Sequence, residues 1–279
     1  MIAIKKQLLT LSALALLGMA GVARAQVKEG RVVYERKINM HRNLTDESMK
    51  NMVPEFSTSK TELIFSGGES LYKNIKEEED IRDKAGEGQH DGVFIKFGGG
   101  DDQVYKNYDA EKMTEQRELG PKKYIIEDSL PRQAWKLEEG ARTVKGYACK
   151  KATTRNRAGK DVIAWYCEDL QSASGPEVYG GLPGLILEMD INNAEISFTA
   201  LEVSSAAGKG AGSGSGTGVG AGTGSGAGQV PGTAAGQVLV KAPSDGKKIS
   251  RAAFKKMMED QFGPESGGGV RTSIRVIRN

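Results

Sequence analysis

Polar and apolar positions alternate with period two over many short stretches of this chain. Arg31–Met40 carries Val32, Tyr34, Ile38 and Met40 on one parity, with Arg36 breaking the apolar side. That pattern predicts a strand with one buried face. Thr61–Phe65 and Ser70–Lys73 flank Ser66-Gly67-Gly68-Glu69, a tight hairpin signal. The implied register sets Leu63 opposite Tyr72 and Ile64 opposite Leu71, so apolar residues fall on both faces of a buried hairpin. Val93–Phe97, Gln103–Tyr108, Met113–Leu119, Lys122–Glu127 and Ala134–Leu137 read as further strands, punctuated by glycine and other turn residues. Val144–Asn156 and Asp161–Leu170 flank Arg157-Ala158-Gly159, a hairpin centred on Ala158.

The stretch Tyr179–Asp190 stands apart. Leu185, Ile186 and Leu187 form an unbroken apolar run, as in a strand buried on both faces. Gly181, Leu182, Pro183 and Gly184 lead into it. Pro183 lacks a backbone donor and suits a strand start. Asp190–Ala194 is rich in turn formers, and Glu195–Val203 alternates again, so the two runs predict a hairpin. A bent, glycine-rich approach to a strand is the plainer reading of Gly181–Ile186; a ligand- or partner-binding turn is the sharper one.

Two segments read as helices. Thr45–Val53 has a capping Thr and ends before Pro54. Ser250 can cap a second helix, in which Phe254, Met257, Met258 and Phe262 share one face before Gly263-Pro264. That face packs on the sheet, or its methionines, Met257 and Met258, cover a ligand cavity. Val270–Ile277 reads as a last strand. The sum is a mainly β domain: a single antiparallel, strongly curved sheet or half-barrel with the C-terminal amphipathic helix on its concave side. A β-sandwich is the alternative. The shape would look like that of periplasmic lipoprotein carriers, an analogy of fold only.

Residues 1–25 change the charge picture. A basic start, an apolar Leu/Ala stretch and Ala23-Arg24-Ala25 make a secretory signal peptide, placing the protein in the periplasm, with outer-membrane association or secretion as alternatives. Its removal takes away Lys5, Lys6 and Arg24 and no acid, so the 39 basic residues become 36 against 36 acidic ones. A net charge of zero argues against nucleic acid as a partner. No later run is long and apolar enough to span a membrane as a helix. The mature β domain, residues 26–279, is interrupted at about 206–236 by a low-complexity segment with glycine at every even position from Gly208 to Gly228, read as a flexible linker. Its root-mean-square span would be about 30 Å.

Cys149 and Cys167 are the only cysteines. The hairpin centred on Ala158 sets them directly opposite each other in an oxidising compartment, which predicts a structural disulfide contributing about 3 kcal/mol. Two free buried thiols are the alternative.

Tyr179–Asp190 also carries a resemblance. Gly181-Leu182-Pro183-Gly184-Leu185-Ile186 is the complete hexapeptide of the GLPGLI family, exported proteins typical of Bacteroidetes-type bacteria. Gly146–Thr154, Ala164-Trp165-Tyr166 and Gly175-Pro176 support it, with weaker similarity at Leu63–Phe65 and Glu69–Tyr72. The resemblance runs from Val32 to Val203 and is dense from Trp135 onward. It implies export and a β fold; it implies no activity, because the family has none assigned. A hydroxyl residue is the commoner occupant at the place of Cys167, so the disulfide is no family property.

The chemistry-bearing residues are sparse. His41 and His90 lie far apart without a Cys or His at metal-ligand spacing, so no metal or cofactor is implied. No nucleophile elbow and no zinc-protease motif occur. The acidic stretch Glu77–Gly92 lacks the ligand spacing of a calcium loop. Asp101-Asp102 and Glu138-Glu139 are paired acids of a kind any charged chain has, and Trp135, Trp165 and Tyr166 are either core or an aromatic platform. The expectation is a non-catalytic binding or carrier protein for an apolar ligand or an envelope-protein segment. The alternatives are a structural or assembly factor of the envelope, binding through a strand edge or the Gly181–Ile186 turn, and a carboxylate-dependent hydrolase.

Overall fold

The computed structural model describes residues 27–44, 47–51, 53–76, 100–205 and 240–262. The signal peptide, the Val93–Phe97 strand, the glycine-rich linker and the Val270–Ile277 strand of the sequence reading lie outside these residues. Twelve strands form one sheet: β1 (Glu29–Asn39), β2 (Phe56–Ser66), β3 (Glu69–Asn74), β4 (Gln103–Asn107), β5 (Lys112–Leu119), β6 (Lys122–Ser129), β7 (Lys136–Val144), β8 (Tyr147–Arg155), β9 (Asp161–Cys167), β10 (Leu185–Ile191), β11 (Ile196–Ser205) and β12 (Lys247–Lys248). Their order is β12-β6-β5-β4-β3-β2-β1-β11-β10-β9-β8-β7. The sheet is open, with β12 and β7 at its edges, and only β12 runs parallel to its neighbour. The protein is thus mainly β with a single large sheet. Among the described residues there are two α-helices, α1 (Glu47–Lys50) and α2 (Arg251–Phe262), and one 3-10 turn, His41–Asn43.

Local sequence sets the hairpins. Leu63 pairs with Tyr72 and Ile64 with Leu71 around Gly67-Gly68. Arg155 pairs with Asp161 around Ala158, where Asn156 Oδ1 accepts the backbone N–H groups of Ala158 and Lys160. Leu185, Ile186 and Leu187 are fully buried in β10, and Ile191 closes on Ile196 across the turn to β11.

One boundary differs from the sequence reading. Val144–Asn156 is not one strand: Val144 ends β7, and Lys145-Gly146 turns the chain into β8. Both turn residues have positive φ, 50° and 83°, as a two-residue hairpin of matching twist requires. The strand anticipated at Ala134–Leu137 is the start of this longer β7. Its Glu138–Thr143 run shows no alternation because only Val144 of β7 is buried.

One face of the sheet carries the core. Val32, Leu63, Tyr72, Val104, Glu115 and Ile126 make a continuous row across β1 to β6. The next row is Gly30, Phe65, Ser70, Lys106, Met113 and Asp128. The first row is apolar except for Glu115, whereas Ser70, Lys106 and Asp128 make half of the second polar. These polar positions are where other segments dock. The connection between β9 and β10, residues 168–184, lies over β3 and β4 as a strap, and α2 lies over β5 and β6.

Candidate functional site

The strap is tied down from below. Lys106, with no exposed surface, sends its Nζ protons to the carbonyls of Gly175, Glu177 and Tyr179 at 2.7, 2.9 and 2.7 Å. Burial pushes the Lys106 amine down to about 7, with the Glu177 charge opposing. Three carbonyl acceptors match the three protons of an ammonium, so the cage favours the charged form. The Ser70 and Ser174 hydroxyls meet at 2.5 Å. Gln133 Nε2 donates to Val178 O and Trp135 Nε1 to Gly180 O. A bridge between Ser174 and Gly180 makes the strap a small hairpin of its own.

The hexapeptide closes this strap. Leu182, Gly184, Leu185 and Ile186 are buried; only Gly181 and Pro183 are exposed. Gly181 has φ 86°, and a Cβ there would meet nothing. A Cβ on Gly184 would stand 2.2 Å from Cys167 O and 2.5 Å from its carbonyl carbon, both backbone atoms that cannot yield. Tyr34 of β1 donates its hydroxyl to Ile186 O at 2.6 Å. The six residues therefore hold β10 against β9 and offer little surface to a ligand.

Cys149 and Cys167 lie opposite each other, one step beyond the Lys150–Tyr166 pair. They are not bonded; both are free and buried, which corrects the expected disulfide. Directly opposed residues hold their Cβ atoms about 4.5–5.5 Å apart, wider than the roughly 3.5–4.5 Å a disulfide spans. The Cys149 thiol donates to Tyr147 O at 3.6 Å. The neighbouring Cys167 and then burial raise the Cys149 thiol, while Cys149 lowers Cys167.

The apolar face of α2 packs on the sheet. Phe254 and Met258 pack against Tyr124 and Ile126, with Met257 at the margin. Ser250 Oγ caps the helix by accepting the Ala253 N–H. Arg251 reaches down to Glu115 and Asp128.

Acids do converge at one place. A cleft of about 280 Å³ is lined by Glu62, Lys73, Lys76, Asp101, Asp102 and Gln103, among others. Each shifted carboxylate here is held ionised. Burial raises Glu62, but Arg31 and Lys73 more than reverse it. Lys76 and then Lys123 lower Asp101. Asp102 accepts from Arg117 and from the Glu118 N–H. On the inner face, burial raises Glu115, and Arg117 and Arg251 bring it below its ordinary value. Glu138, on β7, is lowered by Lys151 and Thr153. A general acid needs the opposite environment, one that keeps a proton near neutral pH.

The remaining candidates scatter. His41 Nε2 lies 2.8 Å from Val53 O, and no acid, His and Cys cluster suited to a metal occurs among the described residues. Tyr166 is core. Trp165 lies partly buried under the Arg142 guanidinium, 4.0 Å from the ring centroid. Sequence reasoning passed over Lys106, Glu115 and Glu177. For the first two the signal was parity, since both fall on the inward positions of their strands.

The comparisons with known proteins bear on most of the sheet, from β4 to β11 in the family match. Residues 103–212 match the family described as N-glycanase peptide, N-terminal domain. No curated protein matches the chain. Two solved structures of PNGF-II are similar. One, in space group C2, has 17% identity over 63% of this chain and 27% of that one, with a TM-score of 0.43. The other, in space group P21, has 14% identity over 82% and 33%, with a TM-score of 0.48. This chain thus spans about a third or less of those proteins' length.

Proposed function

We propose that this chain is an exported, periplasmic, non-catalytic binding protein of the GLPGLI kind that takes a segment of a cell-envelope protein along the free edge of β7. The observation that carries the reading is β7 itself. It borders the sheet, pairs among the described residues with β8 alone, and buries only Val144. Leu137 on it is 59% exposed. Such an edge offers unpaired backbone groups to an added strand. Lys136, Glu138, Arg142 and the bulge between Glu138 and Ala141 guard it against its own copies while leaving room for a complementary sequence.

The rival readings lose ground on the packing and the charges. An apolar ligand between sheet and helix would need the space that Phe254 and Met258 fill. A hydrolase would need a carboxyl group kept protonated, and the converging acids are all cation-paired. Strong curvature of the sheet is part of the proposal. Ser70 of β3 reaches Ser174 beside β10, although β2, β1 and β11 lie between. In a flat sheet those four strand spacings would be about 19 Å.

A photo-crosslinking residue at Leu137 tests the reading in the living envelope. One discrete adduct is expected there, and none with the probe at exposed Glu111 on the β4–β5 turn. Equal labelling at both sites, or none at Leu137, would sink it. The likeness of residues 103–212 to an N-glycanase N-terminal domain favours a second reading, in which the captured segment bears a glycan. The adduct would then shrink on enzymatic deglycosylation.

A further inference from the structure

The inward-facing charges of Lys106, Glu115 and Asp128 each meet a segment that satisfies them. One inward charge does not. Arg36 on β1 is 7% exposed, and its buried Nε has no hydrogen-bond partner among the described residues. Thr61 on β2 and Tyr72 on β3 are buried beside it on the same face. Neither hydroxyl has a partner in good hydrogen-bond geometry, although the Thr61 hydroxyl lies close enough to Tyr72 to oppose the rise that burial causes in its pKa. A buried guanidinium nitrogen left without a hydrogen bond is costly.

Above them stands Glu177 of the strap. Its backbone is left-handed, with φ 50°, and its Oε1 lies 3.5 Å from Arg36 Nε, an ionic contact too long for a good hydrogen bond. The Glu177 charge also acts on Tyr72, Lys106 and Arg117. Its side chain is 21% exposed, so solvent reaches this point of the inner face. The three orphaned groups below can all donate. A guanidinium fork flanked by two hydroxyls is complementary to a carboxylate, planar and with two acceptor oxygens.

We propose that Arg36, Thr61 and Tyr72 form a carboxylate-binding site, that Glu177 occupies it loosely in the resting protein, and that the carboxylate of an acidic ligand replaces Glu177. The proposal deepens the reading of the chain as a binding protein and rests on it only for the ligand's role. The Glu177 side chain can leave while its backbone stays, because Lys106 holds the Glu177 carbonyl independently of Arg36.

Two probes test it: sodium acetate, and a peptide of six glutamates with blocked ends. Glu177→Gly tolerates the left-handed backbone and removes the resident carboxylate; Glu177→Gln is the second variant should the first fold poorly. At constant ionic strength and neutral pH, acetate is expected to raise the Tm of the Glu177 variant saturably and to leave the wild type unmoved. Adding Arg36→Met should abolish the response. Binding of the peptide to the Glu177 variant on the order of tenfold tighter than to wild type points to a protein-borne acid. A response to acetate alone points to a small free acid. An acetate effect equal in wild type and variant, or one that survives Arg36→Met, overturns the site. Loss of the Leu137 adduct with the acetate response intact would reject the β7 reading and leave this site standing; the reverse would do the opposite.

Discussion

Glu115 shows what an inward charge does in this protein. It is 2% exposed, yet it faces the inner side of β5 because Arg117 and Arg251 both reach it. Its pKa is lowered in the folded chain although burial alone would raise it. The sign follows: a carboxyl with a depressed folded pKa contributes stability above its unfolded value, about 4.3, and loses it as pH falls through the folded value. Glu115→Gln keeps the volume and removes the charge. It should cost roughly 2 kcal/mol at pH 7, below the 3–5 of a fully buried broken pair, because Arg251 keeps access to water. Urea melts between pH 7 and pH 3 read this out. The wild type should lose stability below about pH 4, and the variant should lose less over that window. Parallel curves would show that Glu115 contributes no linkage. At this scale the sequence was only partly legible. Arg36 stood out as a break in the apolar parity of β1, and Lys106 and Glu115 occupy the same kind of position. What they meet comes from segments far along the chain, Glu177 and Arg251, and no local pattern announces that.

Elements were easier to read than side-chain partners where local rules suffice. The Gly67-Gly68 and Ala158 hairpins come from turn chemistry acting on the residues beside it, and their registers agree with the alternation. β7 was harder because an edge strand exposed on both faces has no reason to alternate. The Lys145-Gly146 pair was its one signal. The Gly181–Ile186 stretch divides the same way. Its run into β10 is plain in Leu185-Ile186-Leu187, whereas the need for Gly184 arises from the backbone of Cys167 beside it. Gly184→Ala must therefore displace β10 from β9 and should cost about 3 kcal/mol, in the range of a badly overpacked core. Gly181→Ala meets open space and carries only the left-handed penalty, about 1 kcal/mol. Equilibrium denaturation of both variants is the measure. Equal costs, or a larger one at Gly181, would mean that the hexapeptide is set by turn conformation and not by the close approach of two strands.

The whole molecule is joined by its first strand. β2 to β6 follow one another across one half of the sheet, and β7 to β11 across the other, so each half forms from near neighbours in sequence. β1 lies between them, pairing with adjacent β2 and also with β11, where Arg31 meets Ser204 from 173 positions away. Tyr34 reaches past β11 to Ile186 O, and the strap ties β10 to β3 and β4 from above. Stability should therefore be highest at this join and fall toward the two edges, since an edge strand opens without breaking the rest. Hydrogen exchange followed peptide by peptide tests the gradient. Amides of β1, β10 and β11 should exchange together and last, through global unfolding, while β7 and β12 exchange first. A β7 as slow as β10 in the isolated protein would mean that its edge is already closed, and the strand could not then receive a partner.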